Sequence, residues 1–256
     1  MDGMRKSFDL LRQFEKIEKT HWWWNGRRKL IQLLLPDGNN LKILDIGCGT
    51  GETLSFLKSI RPQSKLYGVD PDPIAIGFSK TRNCGIIKKS YAEKLPFKND
   101  YFDVVMFLDV LEHVKNQNKA LHEAKRVLRP GGFTIITAPA LKLIWSDHDV
   151  KQGHYRRYTR SEIRSLTKRV GMKLKFISYF NFLLSLPIII VRLLSQLQPF
   201  RFMVSYNNRV NYDVAKNNPI NSFLTKIFLF EIARIKTFNY PIGISIVAVL
   251  QKESNV

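Results

Sequence analysis

Three glycines stand at Gly47, Gly49 and Gly51 in the stretch "DIGCGTGE", and Asp70 follows nineteen residues beyond the last. Glycine lets a backbone turn sharply and approach a ligand closely. A carboxylate at that remove, closing the next strand, can accept from both hydroxyls of a ribose. The spacing is GxGxG, whereas a dinucleotide site uses GxGxxG. Glu52 at the head of the following helix would repel a pyrophosphate. Asp45 and Glu52 instead suit a ligand with an ammonium group.

Three histidines form a second set. His113 follows Glu112, His148 lies between two carboxylates in "SDHD", and His154 opens "HYRRY". Histidine titrates closest to neutral pH, so each is a candidate to take or give a proton. Each also has a plain structural reading: His113 as a brace for its loop, the other two as members of a polar surface loop. In "HYRRY", His154, Tyr155, Arg156 and Tyr158 combine rings and cations that can grip an anionic or sugar ligand. The alternative is that the arginines pair with surface acids.

The elements that position these residues alternate between two periodicities. "LKILDIG" (Leu41 to Gly47) reads as a buried parallel strand, and "KLYGVD" as a second ending at Asp70. "GIIKKS" and "FDVVMFLD" are the third and fourth, the latter ending at Asp109, and "FTIITAP" is the fifth. Helices are predicted from Glu52 to Ile60, Pro73 to Lys80 and Asn118 to Leu128. Thr159 with Glu162 makes a capping box for a helix that runs to Val170 and stops at Gly171. "KLKFISYF" and "GISIVAVLQK" supply strands six and seven. The fold class is α/β, a doubly wound seven-stranded sheet, whose ligands bind at the C-terminal strand ends. The glycine loop, Asp70, Tyr91 to Glu93 and Asp109 to His113 all fall on that edge.

Some sixty residues separate strands six and seven, where a hairpin would be shorter. They hold an apolar helix near 182–197, a polar stretch and a helix near 220–235. The expected organisation is a helical lid at 1–40, a core at 41–180, a helical insertion at 181–240 and the last core strand at 241–256. The 41 lysines and arginines exceed 21 acids, a net charge of +20. Of this, +13 falls after Val150, which suits an anionic partner or a lysine-rich solvated surface. Two cysteines and no CxxC indicate a reducing compartment. The N-terminus does not read as a signal peptide, and the stretch from Phe176, broken by Asn181, Pro187 and Arg192, is not read as transmembrane. The expected location is cytoplasmic, extending to the inner face of the membrane.

"LDIGCGTG", "VD", "AEKLPF", "YFDVVMFLDVLEHV" and "EAKRVLRPGGFTIITAP" resemble, in order, the motifs of class I S-adenosylmethionine-dependent methyltransferases. The likeness covers 41–139 and implies a Rossmann-like fold with S-adenosylmethionine as cofactor. It implies that Asp45 and the loop of Gly47, Cys48, Gly49 and Gly51 hold the methionine part, and that Asp70, with Pro71, takes the ribose. Ala92 and Glu93 would lie along the adenine, and Asp109 and Val110 along the sulfonium side. The chain departs from the family at Tyr91, where an Asp is common. "HWWWNGRRKLI" together with "DHDVKQGHYRRYTRSEI" resembles a small-molecule, type 11-like subgroup.

That resemblance implies O-methylation of a small-molecule, sugar or lipid-linked acceptor. In-line alignment alone is worth about 7–11 kcal/mol, so a base helps without being obligatory. The Pro-Pro motif of base N-methylation, the catalytic cysteine of cytosine methylation and a metal set for catechol-type transfer are not legible. Two other readings remain: a non-catalytic binding protein on this fold, and an RNA methyltransferase, the latter suggested by charge alone and without an RNA module. For the tryptophan run, one reading folds it over the strand edge as a lid, with Trp23 and Trp24 covering the cofactor and Arg27 pairing with its carboxylate. The other packs the rings between this helix and the insertion. The insertion itself either rests on an anionic membrane or packs on the sheet or a second copy.

Overall fold

The computed structural model describes residues 2–146, 149–150, 152–194 and 219–254. Two helices precede the sheet: α1 (Asp2–Ile17) and α2 (Trp22–Leu34). Then follow β1 (Lys42–Ile46), α3 (Glu52–Ile60), β2 (Lys65–Asp70), α4 (Pro73–Thr81), β3 (Ile86–Lys89) and β4 (Phe102–Leu108). After β4 come α5 (Gln117–Val127), β5 (Leu128–Pro139), α6 (Arg160–Val170) and β6 (Lys173–Phe180). The chain goes on to α7 (Ser185–Leu194), α8 (Pro219–Ala233) and β7 (Ser245–Gln251).

The strands form one sheet in the order β3-β2-β1-β4-β5-β7-β6. Pairings from β3 across to β5 are parallel, and β7 runs antiparallel between β5 and β6. A strand covered on both faces must be apolar throughout. β4 is buried at every position, and Ile43 and Leu44 of β1 are fully buried. The chain steps outward from β1 to β3 and then returns to β4 on β1's other side. That reversal opens a crevice beyond the C-terminal ends of β1 and β4, where the glycine loop and Asp109 emerge.

Two apolar layers cover the sheet. One joins Leu121 and Ala124 of α5 and Ile163 and Leu166 of α6 to Phe107 and Ile136. The other joins Leu30 and Ile31 of α2, Leu54 and Leu57 of α3, and Phe228 and Ile232 of α8 to Met106 and Val247. The capping box forms as the sequence indicates: the Thr159 hydroxyl accepts from Glu162 N, Glu162 returns to the Thr159 backbone, and Gly171 closes α6 in a left-handed conformation. β5 begins earlier than the sequence suggests, at Leu128, because Leu128 already pairs with Phe102 across a register irregularity.

The two tryptophans assigned to a cofactor lid are used otherwise. Trp23 stacks on Phe228 (5.6 Å, 10°) and on Phe180 (5.8 Å, 16°). Trp24 meets Phe14 of α1 and the ring of His21, and Trp22 meets Phe228 edge-on. Trp22 and Trp23 thus tie α2 to α8, and Trp24 ties it to α1. A flat ring excludes more water between two helices than over an open crevice. α2 admits Phe228 only because residue 26 is glycine: a Cβ there would stand 2.0 Å from the Phe228 ring. Gly26→Ala is expected to destabilise the protein by about 1–3 kcal/mol through overpacking. Denaturant unfolding checks this, with Phe228→Leu expected to recover part of the loss in the double variant.

Candidate active site

Gly47, Gly49 and Gly51 all adopt positive φ (70°, 53° and 80°). Two of them are also crowded. A Cβ on Gly47 would meet Val110 at 2.6 Å, and one on Gly51 would meet the Ser79 hydroxyl at 2.5 Å. At Gly49 the corresponding space is open, so this backbone faces the crevice. The loop is held from below, because Gly47 N and Cys48 N both donate to Val69 O. Cys48 is buried with its sulfur 3.6 Å from the Ser79 hydroxyl, and burial pushes its thiol far above the ordinary range. It is a packing residue of the loop.

Asp70 is 8% exposed. One oxygen accepts from Gly49 N (3.0 Å) and the other from Asp72 N (2.9 Å). Each carboxylate oxygen has a second lone-pair direction left. Burial raises its pKa, and the two backbone donors oppose the rise. Pro71 beside it is exposed. Asp45 lies beneath the loop, 2% exposed, with Oδ1 lacking any partner. Burial pushes it up to about 7, with Arg27 opposing and Asp70 adding.

Asp109 ends β4 in the left-handed region, φ 58°. Thr137 holds it there: its hydroxyl donates to Asp109 Oδ1 (3.1 Å), and its carbonyl accepts from Asp109 N (3.0 Å). Asp109 Oδ2 pairs with Arg27 Nη1 at 2.9 Å. Arg27 therefore does reach the crevice from α2, and its Nε is buried without a partner. Ala92 is buried in the core and Glu93 half-buried, while Tyr91 is 66% exposed beside them.

Glu112 is 1% exposed, and its Oε2 has no partner. Burial, then Asp109, raises its pKa well above the carboxylate range. The rings of His113 and His154 meet edge-on at 4.8 Å. Burial lowers the His113 pKa, and His154 adds to that. Ligand atoms of Glu112, His113 and His154 all lie within 4.8 Å of one another. The sequence alone gives no metal-ligand set; the fold brings these three side chains together from residues some forty apart. His148 lies outside the described residues.

"HYRRY" divides by direction. Tyr155 is exposed, and Arg156 donates to Lys115 O. Tyr158, expected to contact an acceptor, is instead in the core, bonded to Leu111 O and Gln117 Oε1. Its size and single hydroxyl suit an anchor between β5 and α5. Arg157, which the sequence does not single out, is buried on Asp149 and Ala140 O.

Glu52 also differs from expectation. It pairs with Arg82 (2.7 Å) and Arg28 (3.3 Å) and offers nothing to an ammonium. Glu18 of the α1–α2 turn pairs with the same Arg82 and accepts from the Thr50 hydroxyl at 2.6 Å. These charges fasten the N-terminal helices to the glycine loop and α4.

The open Gly49 backbone and the orphaned atoms of Asp45 and Arg27 fit a ligand that brings both an ammonium and a carboxylate. The oxygens of Asp70 fit its hydroxyls. Such a crevice on a seven-stranded sheet of this order is that of a Rossmann-like methyltransferase fold. Residues 44–136 match the family model described as a methyltransferase domain; that stretch is the methyltransferase domain of this chain, and S-adenosylmethionine is its cofactor. An uncharacterized protein of Methanocaldococcus jannaschii, MJ1252, is 28% identical over 238 residues, 90% of this chain and 87% of that one. The ubiquinone/menaquinone biosynthesis C-methyltransferase UbiE of Burkholderia vietnamiensis is 36% identical over 101 residues, 37% of this chain. The match spans 42% of UbiE. Phosphoethanolamine N-methyltransferase 2 of Haemonchus contortus, solved with S-adenosyl-L-methionine, shares the fold with a TM-score of 0.61 at 18% identity, over 90% of this chain and 53% of that one.

Proposed function

We propose that this chain methylates a hydroxyl of a small-molecule, sugar or lipid-linked acceptor. The observation that carries the reading is the pair Glu112 and His113 just after Asp109, joined in space by His154, where the methyl end of the cofactor would lie. The cofactor supplies a methyl group already activated on a sulfonium. Asp70 holds the ribose hydroxyls, Gly49 and Asp45 the amino end, and Arg27 the carboxylate. Ala92, Glu93 and Tyr91 flank the adenine, and Val110, packed over Gly47, backs the sulfonium side. His113, held neutral by its surroundings, accepts the hydroxyl proton, and His154 supports it. Asp109, fixed by Thr137 and Arg27, sets the edge against which the acceptor aligns. The test is transfer of a labelled methyl group into small-molecule and lipid extracts, with Asp70→Ala as control. Label in a methoxy group supports the reading, and label on nitrogen or carbon removes it.

A lipid-linked acceptor is supported by the apolar face that the insertion leaves in solvent: Leu186 and Ile190 of α7 with Phe223 and Phe230 of α8. The UbiE relative belongs to ubiquinone and menaquinone biosynthesis by name. No described helix is long and apolar enough to cross a membrane; the contact proposed here is a peripheral one through this apolar face. Sedimentation with anionic vesicles checks it; no binding at physiological salt overturns it.

Asp45 gives this site a pH signature. Its carboxyl sits near 7, and an ammonium favours the ionised form, so binding near neutral pH releases a proton. Cofactor affinity is expected to fall up to about tenfold per unit as the pH drops below 7. In Asp45→Asn that dependence is lost. Calorimetry in two buffers of different ionisation enthalpy reads the proton directly.

A further inference from the structure

We infer that Glu112, His113 and His154 form a divalent metal site built of two imidazoles and one carboxylate, which engages an acceptor carrying two neighbouring oxygens. The inference deepens the hydroxyl-methylation reading and rests on it. Three observations combine. One ligand atom from each of the three residues lies within 4.8 Å of the others, a separation that a small inward shift converts into coordination. Glu112 is 1% exposed, yet its Oε2 has no hydrogen-bond partner. A buried carboxylate oxygen without a partner is costly, and a cation would satisfy it. The third observation concerns His154.

His154 Nδ1 lies 2.9 Å from Asp149 Oδ1. Asp149 is itself fixed by Arg157 Nε and Nη2 (2.9 and 3.0 Å) and by Ser146 N (3.1 Å). A carboxylate so held accepts the Nδ1 proton, which leaves Nε2 of His154 as the ring's lone-pair donor. A carboxylate behind a ligating imidazole is the usual outer support of a metal ligand. Asp149 and Arg157 are both buried, so the support that aims this ring is rigid and shielded from water.

Two imidazoles and one carboxylate suit a first-row divalent ion such as zinc, manganese, iron(II) or cobalt rather than calcium. Three protein ligands leave positions open, and His113, the most exposed of the three, marks the side on which an acceptor enters. Two adjacent oxygens, as in a vicinal diol or a catechol, would fill those positions together. The cation lowers the pKa of the acceptor hydroxyl, whose proton leaves to water. The oxyanion then forms the C–O bond as the C–S bond breaks, and that electron pair returns to sulfur as a neutral thioether. A ring acting as base is then unnecessary.

Cobalt(II) titration of the chelator-treated full chain, read by visible absorption and calorimetry, tests the site without cofactor or acceptor. One ion per chain is expected. Glu112→Gln and His154→Ala are each expected to weaken binding at least about tenfold, with folding checked by circular dichroism. His113→Ala, at the most exposed of the three residues, serves if either of these variants does not fold. His122→Ala, on the exposed face of α5, is expected to bind like wild type. Absence of binding, or binding that survives these changes, overturns the metal site and leaves hydroxyl methylation with an imidazole base standing. Label on nitrogen or carbon in the transfer assay removes the hydroxyl reading while leaving the cobalt result intact.

Discussion

Arg82→Met is expected to lower folding stability by about 3–5 kcal/mol, the range for removing one partner of a buried ion pair. Arg82 donates to Glu52 (2.7 Å), to Glu18 and, through Nε, to Thr50 O (2.7 Å). The side chains of Arg82, Glu18 and Glu52 are 11%, 4% and 12% exposed. Methionine fills the volume but leaves two buried carboxylates facing each other. Arg28 stays to serve Glu52 at 3.3 Å, yet its other donors are committed to Glu18 O, Lys19 O and Asn25. Lys142–Glu162 is the contrast: at 60% and 42% exposed, it is worth no more than about 1 kcal/mol.

The pH dependence of the variant has a definite sign. Burial already raises the Glu18 pKa, with Arg82 among the groups that oppose it. Without Arg82 the folded-state pKa rises further above the unfolded value. The folded form then binds the extra proton, so the variant is expected to regain stability as the pH falls toward 5. Denaturant unfolding at pH 8 and pH 5 reads both effects. A loss under about 1 kcal/mol at pH 8 would place these charges with ordinary surface pairs. The same variant is expected to bind cofactor more weakly, since Arg82 and Glu18 clamp Thr50 within the glycine loop.

Period and punctuation made the sheet legible. "LKILDIG" and "FDVVMFLD" are buried runs with an acid at or near the end, the capping box at Thr159 is local, and the seven strands fall where those signals put them, β5 alone starting well ahead of its signal, at Leu128. The edge holding Gly47–Gly51, Asp70 and Asp109 follows from topology alone. Pairings between distant residues were not legible. Trp23 finds Phe228 some two hundred residues away, and nothing near Trp23 announces it. Glu52 reads as a free acid at a helix start, because Arg28 and Arg82 approach from α2 and from the end of α4. Tyr158 and His154 sit four apart in one polar stretch, and only the loop's path turns one inward and the other toward His113. The Glu112–His113 pair was visible as a dipeptide, but its joining with His154 depends on Asp149 and Arg157. One signal was available: an Asp, His, Arg set within nine residues beside a strand end.

The heaviest effect on cofactor binding is expected at Asp70. Its two oxygens serve Gly49 N and Asp72 N and, in the reading above, the ribose hydroxyls. Hydrogen bonds to a charged group are worth about 1.5–3 kcal/mol, or about ten- to hundredfold in affinity. Asp70→Ala also frees Gly49 N, loosening the backbone that faces the crevice. Asp70→Asn keeps one acceptor and is expected to lie between. The decisive measurement is calorimetric titration of S-adenosylmethionine into the wild-type chain and into Asp70→Ala under one set of conditions. One site per chain in the wild type, and affinity at least about tenfold weaker in the variant, are the expected results. Equal affinities would contradict the ribose assignment, and a wild-type chain that binds no cofactor would contradict the site itself.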